Sequence, residues 1–364
     1  MRNFNDLHRV VIKIGTNLLT KDGKFNTGYV HEISSQIAGL RDRGLQVLLV
    51  SSGAIGMGAA ELDLKNRVKD IKMRQACAAI GQPLLMHQYR DSFAEYGISI
   101  AQVLVTREVF SNRTTFLNLR NSVETLLGLG IVPIFNENDS VATDEIGSAF
   151  GDNDRLSAMI ASKVDADLLV ILTDIDGLYN GDPRKDSKAS LISSVEEITD
   201  EILGFAGSEG SEFSTGGMKT KLQAVTIAAN AGCKTILAHG SKKDILQRLI
   251  DGEDEGTVFL EGKKLSAKTR WILNSVPLGQ INIDEGAINA LRNNSSLLPS
   301  GIITVEGVFG EGDVVSINGI ANAVSKFTSS DIENIIGHHS KDIPNLLGKG
   351  RKDVIARAED IIFL

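Results

Sequence analysis

At 364 residues the chain is longer than one hydrophobic core usually serves, so two domains are expected. With 42% hydrophobic and 23% charged residues it reads as an ordinary globular protein, and a formal charge of −8 argues against a surface-wide grip on nucleic acid or anionic membrane. Only Cys77 and Cys233 are present, which argues against a disulfide framework and fits a reducing compartment. No apolar run approaches the roughly 20 residues of a membrane span, and the first residues lack a leader-like apolar segment, so a cytoplasmic location is expected.

From the amino terminus, short β-branched runs alternate with longer stretches of helical apolar spacing. Strands are predicted at residues 10–14, 46–50, 98–105, 131–135, 167–172 and 234–238, and helices at 26–43, 113–129, 155–164 and 218–231. This alternation implies crossover units and an α/β fold, a mostly parallel sheet sandwiched by helices, with ligands bound outside the carboxyl ends of the strands. The pattern changes after Leu260. Residues 261–270 are polar and lysine-rich, as a linker is, and beyond them 280–283, 301–305 and 313–317 read as short strands punctuated by glycines. The expected domains are 1–262 and a small, mainly β domain over 268–364. The Gly/Ser/Glu-rich stretch 204–217 is too long for a simple connection and reads as a functional loop.

Chemistry-bearing residues gather where the predicted strands end. Lys13 lies within Val-Val-Ile-Lys-Ile-Gly-Thr, where an ammonium is costly unless it meets an anion. It is either a lysine snorkelling from an edge strand or a phosphate ligand. The second strand leads into Ser51-Ser52-Gly53-Ala54-Ile55-Gly56-Met57-Gly58. These small residues let backbone N–H groups approach a ligand, or simply let helix and strand pack closely with Ser52 as a cap. The P-loop signature is absent, and Gly56-x-Gly58 lacks the third glycine of the dinucleotide fingerprint. Asn136-Glu137-Asn138-Asp139 follows the fourth strand, and Gly151-Asp152-Asn153-Asp154 precedes a helix. Carboxylates suit an ammonium and amides a carboxylate, so the cluster can grip an amino acid; solvated loop acids are the alternative. Thr173-Asp174 ends another strand. Thr215-Gly216-Gly217-Met218-Lys219-Thr220-Lys221 opens a helix with free N–H groups, and its lysines oppose the helix dipole until an anion binds.

Taken together, Val-Ile-Lys-Ile-Gly-Thr, Val-Ser-Ser-Gly-Ala-Ile, Asn-Glu-Asn-Asp, Gly-Asp-Asn-Asp-Arg-Leu-Ser-Ala, Leu-Thr-Asp-x-x-Gly-Leu-Tyr-x-x-Asp-Pro-Arg and Thr-Gly-Gly-Met-x-Thr-Lys resemble the amino-acid kinase family, and within it the glutamate 5-kinases. The tail resembles a PUA domain through Trp271-Ile272, 283–287 and 295–302. The resemblance implies ATP-dependent phosphorylation of the γ-carboxylate of L-glutamate, with Mg²⁺, to give L-glutamyl 5-phosphate. That reaction is the first step of proline biosynthesis and is feedback-inhibited by proline in the family. It implies that Lys13, Asp154 and Lys221 are catalytic, and that Ser52, Asp139 and Asn153 hold glutamate. Lys13, Thr173, Asp174, Thr215, Gly216, Gly217, Met218, Lys219, Thr220 and Lys221 match the nucleotide site. The loop 140–150 corresponds to a region linked to glutamate and proline. A homo-oligomer, and coupling to glutamate-5-semialdehyde dehydrogenase, are likewise implied.

Two features depart from a simple transfer of the family's properties. PUA domains often bind RNA, yet from Lys268 onward nine basic residues face eleven acidic ones, which argues against it here. Ala356 stands where the family usually carries histidine. The rival readings are a kinase of the same fold acting on aspartate, acetylglutamate, carbamate or uridylate, an RNA-binding protein with an inert kinase-like domain, and an amino-acid sensor.

Overall fold

The computed structural model describes residues 2–21, 24–64, 68–106, 108–111, 113–141, 153–183, 186, 188–205, 217–348 and 353–364. The chain divides into two compact units: Met1–Thr106 with Asn118–Leu265, and Arg107–Leu117 with Ser266–Leu364.

The first unit is built on β1 (Arg9–Ile14), α1 (Thr27–Asp42), β2 (Gln46–Ser51), α2 (Ala54–Glu61), α3 (Ile71–Ala94), β3 (Ile100–Val105), α4 (Arg113–Gly128), β4 (Val132–Glu137), α5 (Asn153–Lys163), β5 (Leu168–Thr173), β6 (Ser194–Val195), α6 (Met218–Ala229), β7 (Lys234–His239) and β8 (Thr257–Phe259). The strands form one sheet in the order β3-β4-β2-β1-β5-β7-β8-β6. Every adjacent pair is parallel except β7 with β8. Helices flank the sheet, which makes the expected α/β architecture the observed one. β5, Leu-Leu-Val-Ile-Leu-Thr, is buried at every position, the signature of a central strand covered on both faces. Ile12, Ile14, Leu49, Val170 and Leu172 meet Ile33, Leu85 and Phe93 of the helices in one core.

Helix starts follow local capping chemistry. Asn26 accepts a hydrogen bond from the Tyr29 N–H to open α1, and Asp70 accepts one from the Met73 N–H to open α3. α3 runs for 24 residues through an internal Pro83, and the sequence reading placed no helix there. A proline in mid-run removes one backbone donor, and its neighbours Cys77, Ala78, Ala79 and Gly81 dilute the apolar stripe that marks a helix.

The second unit carries α7 (Ala267–Asn274), β9 (Gly279–Ile283), α8 (Glu285–Arg292), β10 (Ile302–Gly307), β11 (Val314–Ile317), β12 (Ala321–Val324), α9 (Ser329–Ile335) and β13 (Ile361–Phe363). Its sheet order is β10-β9-β11-β12-β13, with β9 and β11 parallel and the other neighbours antiparallel. Ile281, Val315, Ile317, Phe327, Ile332 and Ile355 form its core. Among the described residues no helix is long and apolar enough to cross a membrane.

Candidate active site

Parallel strands bring their carboxyl ends to one edge of the sheet, and the charged residues collect there. Lys13 is in register with Val50 of β2 and Ile171 of β5, so β1 is a central strand. A lysine snorkelling from an edge strand is thereby excluded. Its ammonium lies 2.5 Å from Oδ1 of Asp154, the second residue of α5. Oδ2 of the same carboxylate lies 2.9 Å from the Lys221 ammonium, which α6 supplies from its first turn. The Asp154 side chain is wholly buried and those of Lys13 and Lys221 are 5% and 7% exposed. Burying charges is expensive, and one carboxylate shared by two ammonium groups concentrates positive charge at this edge of the sheet. Such an arrangement favours an anion beside it, and an anion whose negative charge grows during reaction is favoured further.

The residue before Asp154 faces a different task. Asn153 Nδ2 donates to the Ser51 carbonyl at 2.9 Å, the Ser52 hydroxyl at 2.7 Å and Asn136 Oδ1 at 3.1 Å. Ser52 and Asn153, both assigned to amino-acid binding from the sequence, are therefore brought together. Ser52 leads into Gly53, whose φ of +104° is a left-handed conformation that a side chain would strain. This turn swings the chain from β2 into α2. Asp139 lies beyond β4 and is half-buried. Burial raises its carboxyl above the ordinary range, and the Arg74 guanidinium pulls the other way.

Just beyond β5, Asp174 accepts from Asn17 Nδ2 at 2.7 Å and from the Thr173 hydroxyl at 3.0 Å. Burial acts to raise its pKa, but these hydrogen bonds, its own backbone N–H and the field of Lys221 outweigh it, so the net shift is downward and Asp174 is ionised at neutral pH. Gly217 precedes α6 and no side chain caps the helix, while Thr220 returns its hydroxyl to the Gly217 carbonyl at 2.8 Å. Met218 and Thr220 are half-buried, and Lys219 is exposed where Lys221 is buried, which separates two lysines that sequence spacing left equivalent. Thr215, Gly216, Gly151, Asp152 and the loop residues 142–150 lie outside the described residues. The sequence reading missed Asn17, Arg74 and Gln82; the last two sit on the unpredicted α3.

Among the described residues no group of three or more His, Cys, Asp or Glu side chains is placed to hold a metal. Asp154 has an ammonium on each oxygen, and Asp174 is hydrogen-bonded on each. A divalent cation delivered on nucleotide phosphates keeps most of its ligands from phosphate and water and is compatible with this donor set.

A parallel α/β sheet with buried lysines converging on one aspartate at its carboxyl edge defines a phosphoryl-transfer enzyme, in which positioning and charge neutralisation do most of the chemistry. Residues 8–239 match the model of the amino acid kinase family, and residues 279–347 that of the PUA domain. The chain belongs to the amino acid kinase family and is a kinase with a carboxyl-terminal PUA domain. It is 42% identical over 350 residues to the glutamate 5-kinase of Methanosarcina mazei, covering 93% of this chain and 91% of that one. With the glutamate 5-kinase of Thermoanaerobacter pseudethanolicus it shares 46% identity over 338 residues, 90% of each chain. A solved carbamate kinase from Giardia lamblia bound to AMP-PNP shares the fold at 15% identity and a TM-score of 0.52, over 70% of this chain and 99% of that one.

Proposed function

We propose that this kinase transfers the γ-phosphoryl group of ATP to the side-chain carboxylate of L-glutamate, giving L-glutamyl 5-phosphate for proline biosynthesis. The observation that carries the reading is the Lys13–Asp154–Lys221 cluster beside the Ser52–Asn153 pair, in a chain that is 41–46% identical to the glutamate 5-kinases compared.

A glutamate side chain has a reference pKa of about 4.3, so the nucleophile is already an anion at neutral pH and needs no general base. The barrier is repulsion between that anion and the polyphosphate. Lys13 and Lys221 neutralise the transferring phosphoryl group, and Asp154 holds both ammonium groups in place without accepting a proton. Mg²⁺, arriving on the phosphates of ATP, supplies further neutralisation. Ser52, Asp139 and Asn153 hold glutamate, and Thr173, Asp174 and the 215–221 turn hold the nucleotide. The domain boundaries that go with this reading are 1–262 and 268–364. Cytoplasmic location, a homo-oligomer, proline as inhibitor through the 140–150 loop and delivery of the labile acyl phosphate to glutamate-5-semialdehyde dehydrogenase complete it.

ADP release by the purified chain with MgATP is to be measured for L-glutamate, aspartate, N-acetylglutamate and UMP, with hydroxylamine present. Glutamate-dependent turnover with trapped γ-glutamyl hydroxamate is expected. A folded sample that none of the acceptors stimulates rules the reading out.

A further inference from the structure

A cavity of about 240 Å³ opens beside the Asn136–Asp139 segment, lined by Ala54, Ala79, Gln82, Leu104, Glu137 and Asp139 among others. Gln82 is its most informative wall. The side chain is 8% exposed, and its Oε1 accepts a hydrogen bond from Asn136 Nδ2 at 2.9 Å. Asn136 in turn offers Oδ1 to Asn153 Nδ2 and to the Glu137 N–H. The amides of Gln82, Asn136 and Asn153 thus form a directional chain ending on Ser51 and Ser52. Each link fixes the orientation of the next, because an amide has one accepting and one donating end.

That direction has a chemical result at Gln82. With Oε1 engaged, the group it can offer the cavity is the Nε2 donor, which has no partner among the described residues. A donor held at the wall of a cavity in a fixed direction suits a ligand oxygen. Asp139 lines the same cavity and supplies a carboxylate suited to an ammonium. One donor and one acid lining a cavity of this size match the two charged groups of an amino-acid backbone.

We propose that Gln82 is a substrate-binding and specificity-determining residue whose Nε2 donates to the α-carboxylate of the amino-acid substrate, with Asp139 on its ammonium. This rests on the glutamate reading above. The same chain of amides makes Gln82 the residue that keeps Asn136 and Asn153 in their bound orientation. No covalent step is involved. The γ-carboxylate is left for the phosphoryl group near Lys13.

The test compares wild type, Gln82→Glu and Gln82→Met. Gln82→Glu keeps an acceptor for Asn136 and places a carboxylate oxygen where the donor was. It is expected to raise the glutamate KM by about tenfold or more, as loss of a charge-assisted hydrogen bond does, with the ATP KM and melting temperature held. Gln82→Met keeps the volume without either polar end. In it the preference for L-glutamate over 4-aminobutyrate, which lacks the α-carboxylate, is expected to fall by about tenfold or more. An unmoved glutamate KM in Gln82→Glu, or an unmoved preference in Gln82→Met, overturns the proposal. So does a parallel rise in both KM values with a lowered melting temperature, the mark of a merely structural role. A wild-type chain that does not turn over glutamate overturns the substrate reading instead, and is recognised before any variant is made.

Discussion

Asp154 answers two positive charges with one carboxylate, so removing its charge has two separable effects. Asp154→Asn removes one buried partner from both Lys13 and Lys221, which is expected to cost about 3–5 kcal/mol of stability in chemical denaturation. On the proposed reading, in which Asp154 orients and does not abstract a proton, turnover is expected to be lost at every pH; selective recovery at high pH would contradict the assignment. On the same reading Lys221→Ala removes a contact that strengthens in the transition state. It is expected to lower kcat by about 10²–10³ while the glutamate KM changes little, read from steady-state kinetics in both substrates. Lys13 draws attention in the sequence because an ammonium in a β-branched run violates ordinary burial rules, whereas Asp154, an ordinary acid at a helix start, is named only through the family resemblance. Gln82 violates none, since a glutamine in a helix is unremarked in sequence, and only its placement against Asn136 gives it meaning.

At the scale of elements, the strands were readable because parallel, doubly covered strands are written as continuous β-branched runs, as in 168–173. α3 was not, because its first half is held by close approach of small residues and only its second half, through Leu85, Tyr89 and Phe93, buries an apolar stripe. A Cβ on Gly81 would lie 1.8 Å from the Ala54 carbonyl oxygen, and one on Gly58 1.9 Å from that of Cys77. The two helices therefore meet backbone to backbone, which sets where the Ser52–Ala54 turn lies relative to Gln82. Gly81→Ala has no flexible side chain to displace. It is expected to cost at least about 1–3 kcal/mol, seen as a lowered melting temperature, and to raise the glutamate KM as the turn shifts. In the second unit, Asp360 ties the chain end to α7 through Lys268 and to the segment after β12 through Lys326, the latter at 2.9 Å. Burial acts to raise the Asp360 pKa, but the hydrogen bonds and fields of the two lysines outweigh it, and the net shift is downward. A carboxyl with a lowered folded pKa stabilises above its unfolded value of about 3.9 and loses that contribution as pH falls through the folded one. Wild type is thus expected to lose more melting temperature between neutral pH and about pH 3 than Asp360→Asn does, as scanning calorimetry at each pH would show.

For the whole molecule, length raised the expectation of two units and the change of pattern after Leu260 that of a boundary near residues 262–268. The segment Arg107–Leu117 gave no such sign, yet it belongs with the second unit, where Phe110 is 1% exposed and the Ser275 hydroxyl donates to its carbonyl at 3.5 Å. Spatial membership of a short excursion depends on contacts far along the chain, which local periodicity does not encode. Truncation after Leu265 keeps Lys13, Asp154 and Lys221 but removes the partners of Phe110. Residual kinase activity is expected, with stronger binding of a hydrophobic dye than the full chain shows; replacing Phe110 by serine in the truncated form should reduce it.

The trio of charges also carries a temporal consequence. Lys221 and Asp154 are separated by 67 positions, and Lys13 precedes both by a far longer interval. During synthesis, a chain long enough to present Lys13 and Asp154 still lacks the second ammonium, and the strand 234–239 that closes β5 on its far side comes later again. The three charges are therefore brought together only by a chain made through most of its first unit, so on the reading proposed above the place for the phosphoryl group is among the last parts of that unit to form.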